Sequence, residues 1–222
     1  MSTALAPRAL KLLKELERNN ERDWYDAHRD EMKRELLEPF ARLLETASAR
    51  LARTAIPLTG GGKTMYRMHR DTRFSASKLP YKIHVGGLLT VDGTKKSEGQ
   101  GLGYLHCEPG ASFVAAGFHM PETRRLEPVR RAMLDDAAGW HRVLRALDEA
   151  GLAIDDEQKL KSMPRGFASA SEHEHADSLR LKSLTVSRKL PDKAWTDGTA
   201  IDELVAVLEA TRPLIEFVRA AV

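Results

Sequence analysis

The chain changes period twice, and its middle third cannot be helical. Segments 64–69 (TMYRMH), 82–91 (KIHVGGLLTV), 101–108 (GLGYLHCE) and 111–120 (ASFVAAGFHM) alternate or are rich in β-formers, with turn residues between them. Pro109-Gly110 joins the last two as a hairpin. The connections are too short for helical crossovers, so these strands are expected to pair antiparallel. A further strand is expected near Leu184 to Arg188. The fold class is therefore α+β: an antiparallel sheet of about four to five strands, packed by N-terminal and C-terminal helices.

Helical spacing dominates on both sides. Leu5, Ala9, Leu12, Leu13 and Leu16 form one stripe ending at Asn19-Asn20. Asn20 is expected to cap a second helix, with Asp23 in the near capping-box position. That helix carries Met32, Leu36, Phe40, Leu43 and Leu44 on one face, and Pro39 is expected to kink or divide it near Leu37. After Pro121 the helical period returns. Asp135 or Asp136 caps a helix bearing Trp140, Val143 and Leu147; a short helix follows near Glu174 to Lys182; and Ile201 to Val218 read as one last helix. The chain has 222 residues, no repeat and no linker that demands division, so one domain over 1–222 is expected.

Composition narrows the setting. One cysteine, Cys107, rules out an intramolecular disulfide and any multi-thiolate metal site. The N-terminal stretch has no apolar run of signal-peptide length, and no segment is apolar for the roughly 18 residues that span a bilayer, so the expected location is the cytoplasm and no membrane partner is expected. Lys and Arg total 35 against 32 Asp and Glu, a net charge of +3. Nucleic-acid binding would need a concentrated stripe rather than that small excess.

Such a concentration exists between Arg67 and Lys82. RMHRDTRFSASKLPYK holds Arg67, Arg70, Arg73, Lys78 and Lys82, with His69 and one carboxylate, Asp71. Alternation puts Arg67 with His69 on one face, and Lys82 with His84 on one face of the next strand. Two like charges about 4 Å apart repel by roughly 4 kcal/mol at an effective dielectric near 20. A phosphate or carboxylate ligand relieves that repulsion, and guanidinium forks bind such groups in bidentate fashion. Solvation, or pairing with the acids of the second helix, relieves it equally well.

The strings ELERNNERDWYDAH (15–28), RDTRFSASKLPYKIH (70–84), GYLHCEPGASFVAAGFHMPE (103–122), KLKSMPRGF (159–167) and LRLKS (179–183) resemble the domain of unknown function 2461 family. The similarity covers nearly the whole chain in the same order. The family is mainly bacterial and fungal, and the resemblance carries over no activity. It implies that Arg70, Asp71, Arg73, Phe74, Ser75, Lys78, Pro80, Tyr81 and Lys82 form the family's hallmark, with Lys161, Arg165 and Lys182 in later basic motifs. Ile83 stands where the family is expected to carry Thr, and Arg165 where Lys is commoner.

Three other motifs compete. Gly60-Gly61-Gly62-Lys63-Thr64 ends like a P-loop but leaves a helix and enters a strand, the reverse of the order a P-loop needs. His173, His175 and Asp177 match an HxHxD zinc spacing without a convincing further ligand set, so no metal site is assigned from them. Asp26 and His28 lie two apart, which a helix does not turn toward each other. Nothing in the sequence decides whether His106 and His119 face a site; Cys107 reads as a small buried residue.

The leading expectation is a site for a small anionic, phosphorylated ligand. Arg70, Arg73, Lys78 and Lys82 hold the anion, Asp71 orients the arginines, and Tyr81 or His84 supply hydrogen bonds; Arg67, Ser75, Lys161, Arg165 and Lys182 complete the candidate ligand-binding set. Proton carriers, if there is chemistry, are Asp71, His69 or His84. The alternatives are a non-catalytic basic module for nucleic acid or an acidic protein, and a metal-dependent hydrolase using the HxHxD segment. Neither a cofactor nor an oligomeric state is legible.

Overall fold

A computed structural model describes residues 3–71, 73, 78–95 and 102–222. Helix α1 (Pro7–Arg18) is followed by the short α2 (Arg22–Ala27) and α3 (Arg29–Met32), then by α4 (Glu38–Leu51). Between α3 and α4, Lys33–Leu37 form a π-helical turn in which the Glu38 N–H donates to the Lys33 carbonyl. Pro39 has no N–H to continue the α ladder, and a π-bulge is one way a helix absorbs that loss. The division near Leu37 thus has a backbone cause.

The sheet consists of β1 (Val85–Leu89), β2 (Leu102–Cys107), β3 (Phe113–Phe118) and β4 (Leu184–Lys189), antiparallel throughout in the order β1-β2-β3-β4. Segment 64–69 is not a full strand. It runs beside β1 through isolated bridges, Met65 to Gly87 and His69 to Tyr81. Between β3 and β4 come α5 (Thr123–Asp135), α6 (Ala137–Glu149) and the short α7 (Ala176–Leu179). Asp136 caps α6 by accepting from the Gly139 N–H at 2.8 Å. The expected last helix is two, α9 (Thr199–Ala210) and α10 (Arg212–Ala221), preceded by the short α8 (Lys193–Asp197). Pro213 falls in the first turn of α10, where its missing N–H costs nothing, and a new helix starts there.

Helices α4 and α9 cover one face of the sheet. Gly87 lies against Leu44 and Phe40 of α4, and Gly103 against Leu204 and Leu208 of α9, so larger residues at either point would push the helix away. Val85, Leu89, Leu105, Cys107, Val114 and Ala116 point into this side and belong to a core cluster that extends from Leu5 to Val218. Alternation sends Tyr104, His106, Phe113, Ala115 and Thr185 to the opposite face, which an antiparallel sheet can leave to solvent.

Asn20 has a different job from the one its position suggests. The residue at the start of α2 is Glu21, with no side-chain cap. Asn20 is 7% exposed. Its Nδ2 donates to the Tyr81 carbonyl at 3.0 Å, and its Oδ1 accepts from the Tyr81 N–H at 3.0 Å. This clasp fixes the chain just before Lys82 to the N-terminal helices. Removing this buried partner leaves the Tyr81 N–H unsatisfied, while the carbonyl keeps Arg70 Nε, so Asn20→Ala should destabilise the protein by about 2 kcal/mol. Urea unfolding measures it, and a loss below about 0.5 kcal/mol would mean that the clasp contributes nothing beyond an ordinary surface contact.

Candidate functional site

The open face of the sheet is the floor of a trough. Segment 65–71 flanks it beyond β1, and residues 154–158 flank it beyond β4, where the Asp155 N–H donates to the Thr185 carbonyl at 2.8 Å. Within it lies a hollow of about 490 Å3. Leu88, Leu102, Phe113 and Ala115 contribute its apolar lining, and Tyr66, Lys82, Tyr104, His106, Asp155 and Thr185 its polar groups. A second hollow of about 440 Å3, bordered by Lys182 and Lys189, shares Phe113, His119, Asp155 and Thr185 with the first.

One end of the floor carries a chain of polar side chains. The Tyr104 hydroxyl donates to His106 Nδ1 at 3.1 Å, and His106 Nε2 donates to Glu108 Oε2 at 2.8 Å. His84 Nδ1 lies 3.5 Å from the same carboxylate oxygen. Strand alternation explains the set: Tyr104, His106 and Glu108 are two apart along β2 and its exit, and the register Gly86 to His106 and Val85 to Cys107, continued one step, sets His84 opposite Glu108. Gly86 is required here, because a side chain at that point would meet the Tyr104 hydroxyl. His106 also stacks on Phe113 with ring centres 4.5 Å apart.

Burial governs the charges in this cluster. It holds His84 down to about 4, with the neighbouring His106 reinforcing the effect and Glu108 opposing it. His106 is lowered by burial too, against its hydrogen bond to Glu108, which raises it. The Tyr104 hydroxyl is pushed up to about 12, chiefly by burial. At neutral pH the imidazoles and the phenol are therefore uncharged. Among the described residues, His84, His106 and Glu108 are the group whose nitrogen and oxygen donors could hold a metal, all within 4.8 Å of one another.

The cationic segment divides. Lys82 reaches the hollow, its ammonium 5.0 Å from the centre of the Tyr66 ring, and no ion pair engages it among the described residues. Burial lowers its pKa, and Arg67, Arg70 and Lys95 add to the shift. Arg70 Nε donates to the Tyr81 carbonyl at 3.0 Å. Arg73 is exposed and holds Asp71 through Nε at 3.0 Å and Nη2 at 2.7 Å, which keeps that carboxyl below its usual range. Arg67 and Lys78 are exposed, and Ser75 lies outside the described residues. Tyr81 is 3% exposed and stacks on Tyr25 at 4.0 Å, and the His69 ring turns to the same pair rather than toward Lys82. Lys161 and Arg165 are exposed; Arg165 and Lys182 border a separate hollow of about 390 Å3. Of the sequence-predicted residues, Lys82 and His84 thus stand at the trough, with Arg67 and Arg70 near enough to act on Lys82 through their charge.

The model of the family described as "Conserved hypothetical protein (DUF2461)" matches residues 8–217. The chain belongs to the DUF2461 family. The comparisons with curated proteins and with solved structures returned no match. In this DUF2461 protein Asn20 clasps the basic string at Tyr81, and the next residue, Lys82, enters the trough.

The competing motifs have structural roles. His175 Nε2 donates to the Ala137 carbonyl at 3.0 Å, its N–H donates to His173 Nδ1 at 3.1 Å, and Asp177 pairs with Lys159 and Arg180, so the HxHxD donors do not converge. Gly62–Thr64 form a 3-10 turn closed by Thr64 Oγ1 on the Gly61 carbonyl. His28 donates to the Trp24 carbonyl at 2.8 Å and stacks on that ring, and Cys107 is buried with its thiol pushed up by burial. Sequence reasoning left His106 and Glu108 unassigned. The signal was their alternation with Tyr104 in GYLHCE, but the register that adds His84 depends on pairing across a polar loop.

Between pH 6.5 and 4 the unfolded DUF2461 chain binds a proton at His84 that the folded chain refuses. The unfolded state then holds more protons, so stability falls as pH drops through that window. In a chelating buffer, the His84 resonance should titrate near 4, and His84→Gln should flatten the loss of stability. A midpoint near 6.5 would contradict the burial argument.

Proposed function

We propose that this protein binds a small anionic ligand in the trough, with Lys82 on the anionic group and the Tyr66, Tyr104 and Phe113 rings against an apolar or planar part. One observation carries the reading: a half-buried ammonium on which the charges of Arg67, Arg70 and Lys95 act, with no carboxylate engaged among the described residues, at the edge of a hollow with an apolar lining. A buried cation is normally paired. An anion would supply that partner, and the low-dielectric wall strengthens the attraction.

Phosphate is the favoured anionic group, because the charges of Arg67 and Arg70 add to that of Lys82 and favour a multiply charged ligand. The polar chain from Tyr104 through His106 to Glu108 adds a donor and a general base beside the same hollow. The lone buried Cys107 suits a reducing compartment, and the cytoplasm is the location this reading assigns. No helix of the described residues is long and apolar enough to cross a membrane.

A thermal-shift panel of inorganic phosphate, phosphorylated metabolites, nucleotides and carboxylates, run at fixed ionic strength, tests the reading. A ligand at a hundred times its Kd stabilises the native state by about 2.7 kcal/mol. Lys82→Met should remove that shift, whereas Arg165→Met, on the separate hollow, should keep it. No shift from any anion, or a shift indifferent to Lys82, would overturn the proposal. A response to nucleic acid alone, falling steeply with salt, would instead favour a basic binding face.

A further inference from the structure

We propose that His84, His106 and Glu108 bind one divalent transition-metal ion of the zinc class at the end of the trough. Two imidazoles and a carboxylate are the donor types such an ion takes, whereas calcium and magnesium prefer all-oxygen sets. Zinc to nitrogen or oxygen distances of about 2.0–2.1 Å put neighbouring donors of a tetrahedron about 3.4 Å apart. Two of the three separations bracket that value, 2.8 Å between His106 Nε2 and Glu108 Oε2 and 3.5 Å between His84 Nδ1 and the same oxygen, and the two imidazoles offer nitrogens within 4.8 Å of each other.

The support around the donors matches what a metal-ligating histidine needs. With Nε2 on the ion, His106 Nδ1 carries the proton and donates to the Tyr104 hydroxyl, 3.1 Å away. Gly86 leaves room for that hydroxyl, and Phe113 fixes the ring by stacking. His106 and Glu108 project from one strand and its exit, and His84 leads directly into the neighbouring strand, so β pairing rather than loop geometry sets their spacing. Burial keeps both imidazoles neutral at pH 7, the form in which a ring nitrogen can ligate.

Three protein ligands leave coordination positions for water or substrate, the pattern of reactive rather than structural zinc. His106 borders the hollow, so a bound ion would act there, as a Lewis acid or on a bound water. Lys82 opposes a dication by the same repulsion it exerts on His84 and His106. The site stands apart from the anion reading, since it is tested with metal alone.

Untagged full-length protein, stripped by chelator and dialysed, is titrated with zinc chloride by calorimetry and with cobalt(II) by visible absorption. One ion per chain is expected. His84→Ala and Glu108→Ala should abolish binding, Tyr104→Phe should weaken it about tenfold, Lys82→Met should strengthen it, and His173→Ala should leave it unchanged. Melting temperatures in chelator check that each variant folds, with His84→Asn replacing any alanine variant that does not. No binding by the parent protein, binding that survives both His84 and Glu108 substitutions, or binding lost with His173→Ala and kept without His84 would each overturn the site.

Discussion

The sheet buries one face only, and the rest follows from that. Helices α4 and α9 press on Val85, Leu89, Leu105, Val114 and Ala116, so every second side chain of each strand is committed to the core. The intervening residues are released from that duty. On β2 they are Leu102, Tyr104 and His106, and the next in the series is Glu108. The alternation that makes half of a strand apolar thus lets the other half carry chemistry on a rigid support.

Polar groups in such a place are costly unless they are satisfied, and most are. Tyr104, His106 and Glu108 satisfy one another in sequence, and Asp155 accepts from Thr185 and Ser187. Lys82 differs. Its chain is held by hydrogen bonds from the Lys82 N–H to Met68 and from Asn20 to Tyr81, so the backbone cannot readily swing its ammonium out to water. A cation held by its backbone beside other cations, with no acid engaging it among the described residues, is poised for an anion.

Much of this was legible in the chain because it is local. Period two in the middle third gave the antiparallel sheet, Asp136 was readable as a cap, and Pro39 marked the π turn beside Leu37. Long-range choices were hidden. Asn20 reads as a helix cap until Tyr81, far along the chain, takes both ends of its amide. Segment 64–69 has strand composition, yet it pairs only at isolated points along β1. Ile201 to Val218 keep one apolar face although the chain breaks at Thr211 before Arg212-Pro213. For the site, Lys82 and His84 were visible in a charged string, whereas His106 and Glu108 needed the β1–β2 register. The HxHxD spacing was visible and misleading, because spacing does not report that His175 and Asp177 already have partners.

The account turns on the electrostatic isolation of Lys82, and its titration measures that directly. NMR of the Lys82 side chain across alkaline pH should give a midpoint below the ordinary lysine value of about 10.4, as burial and the surrounding cations require. A midpoint at or above that value would mean that an acid of the protein already balances the charge, and the trough would have no claim on an anion.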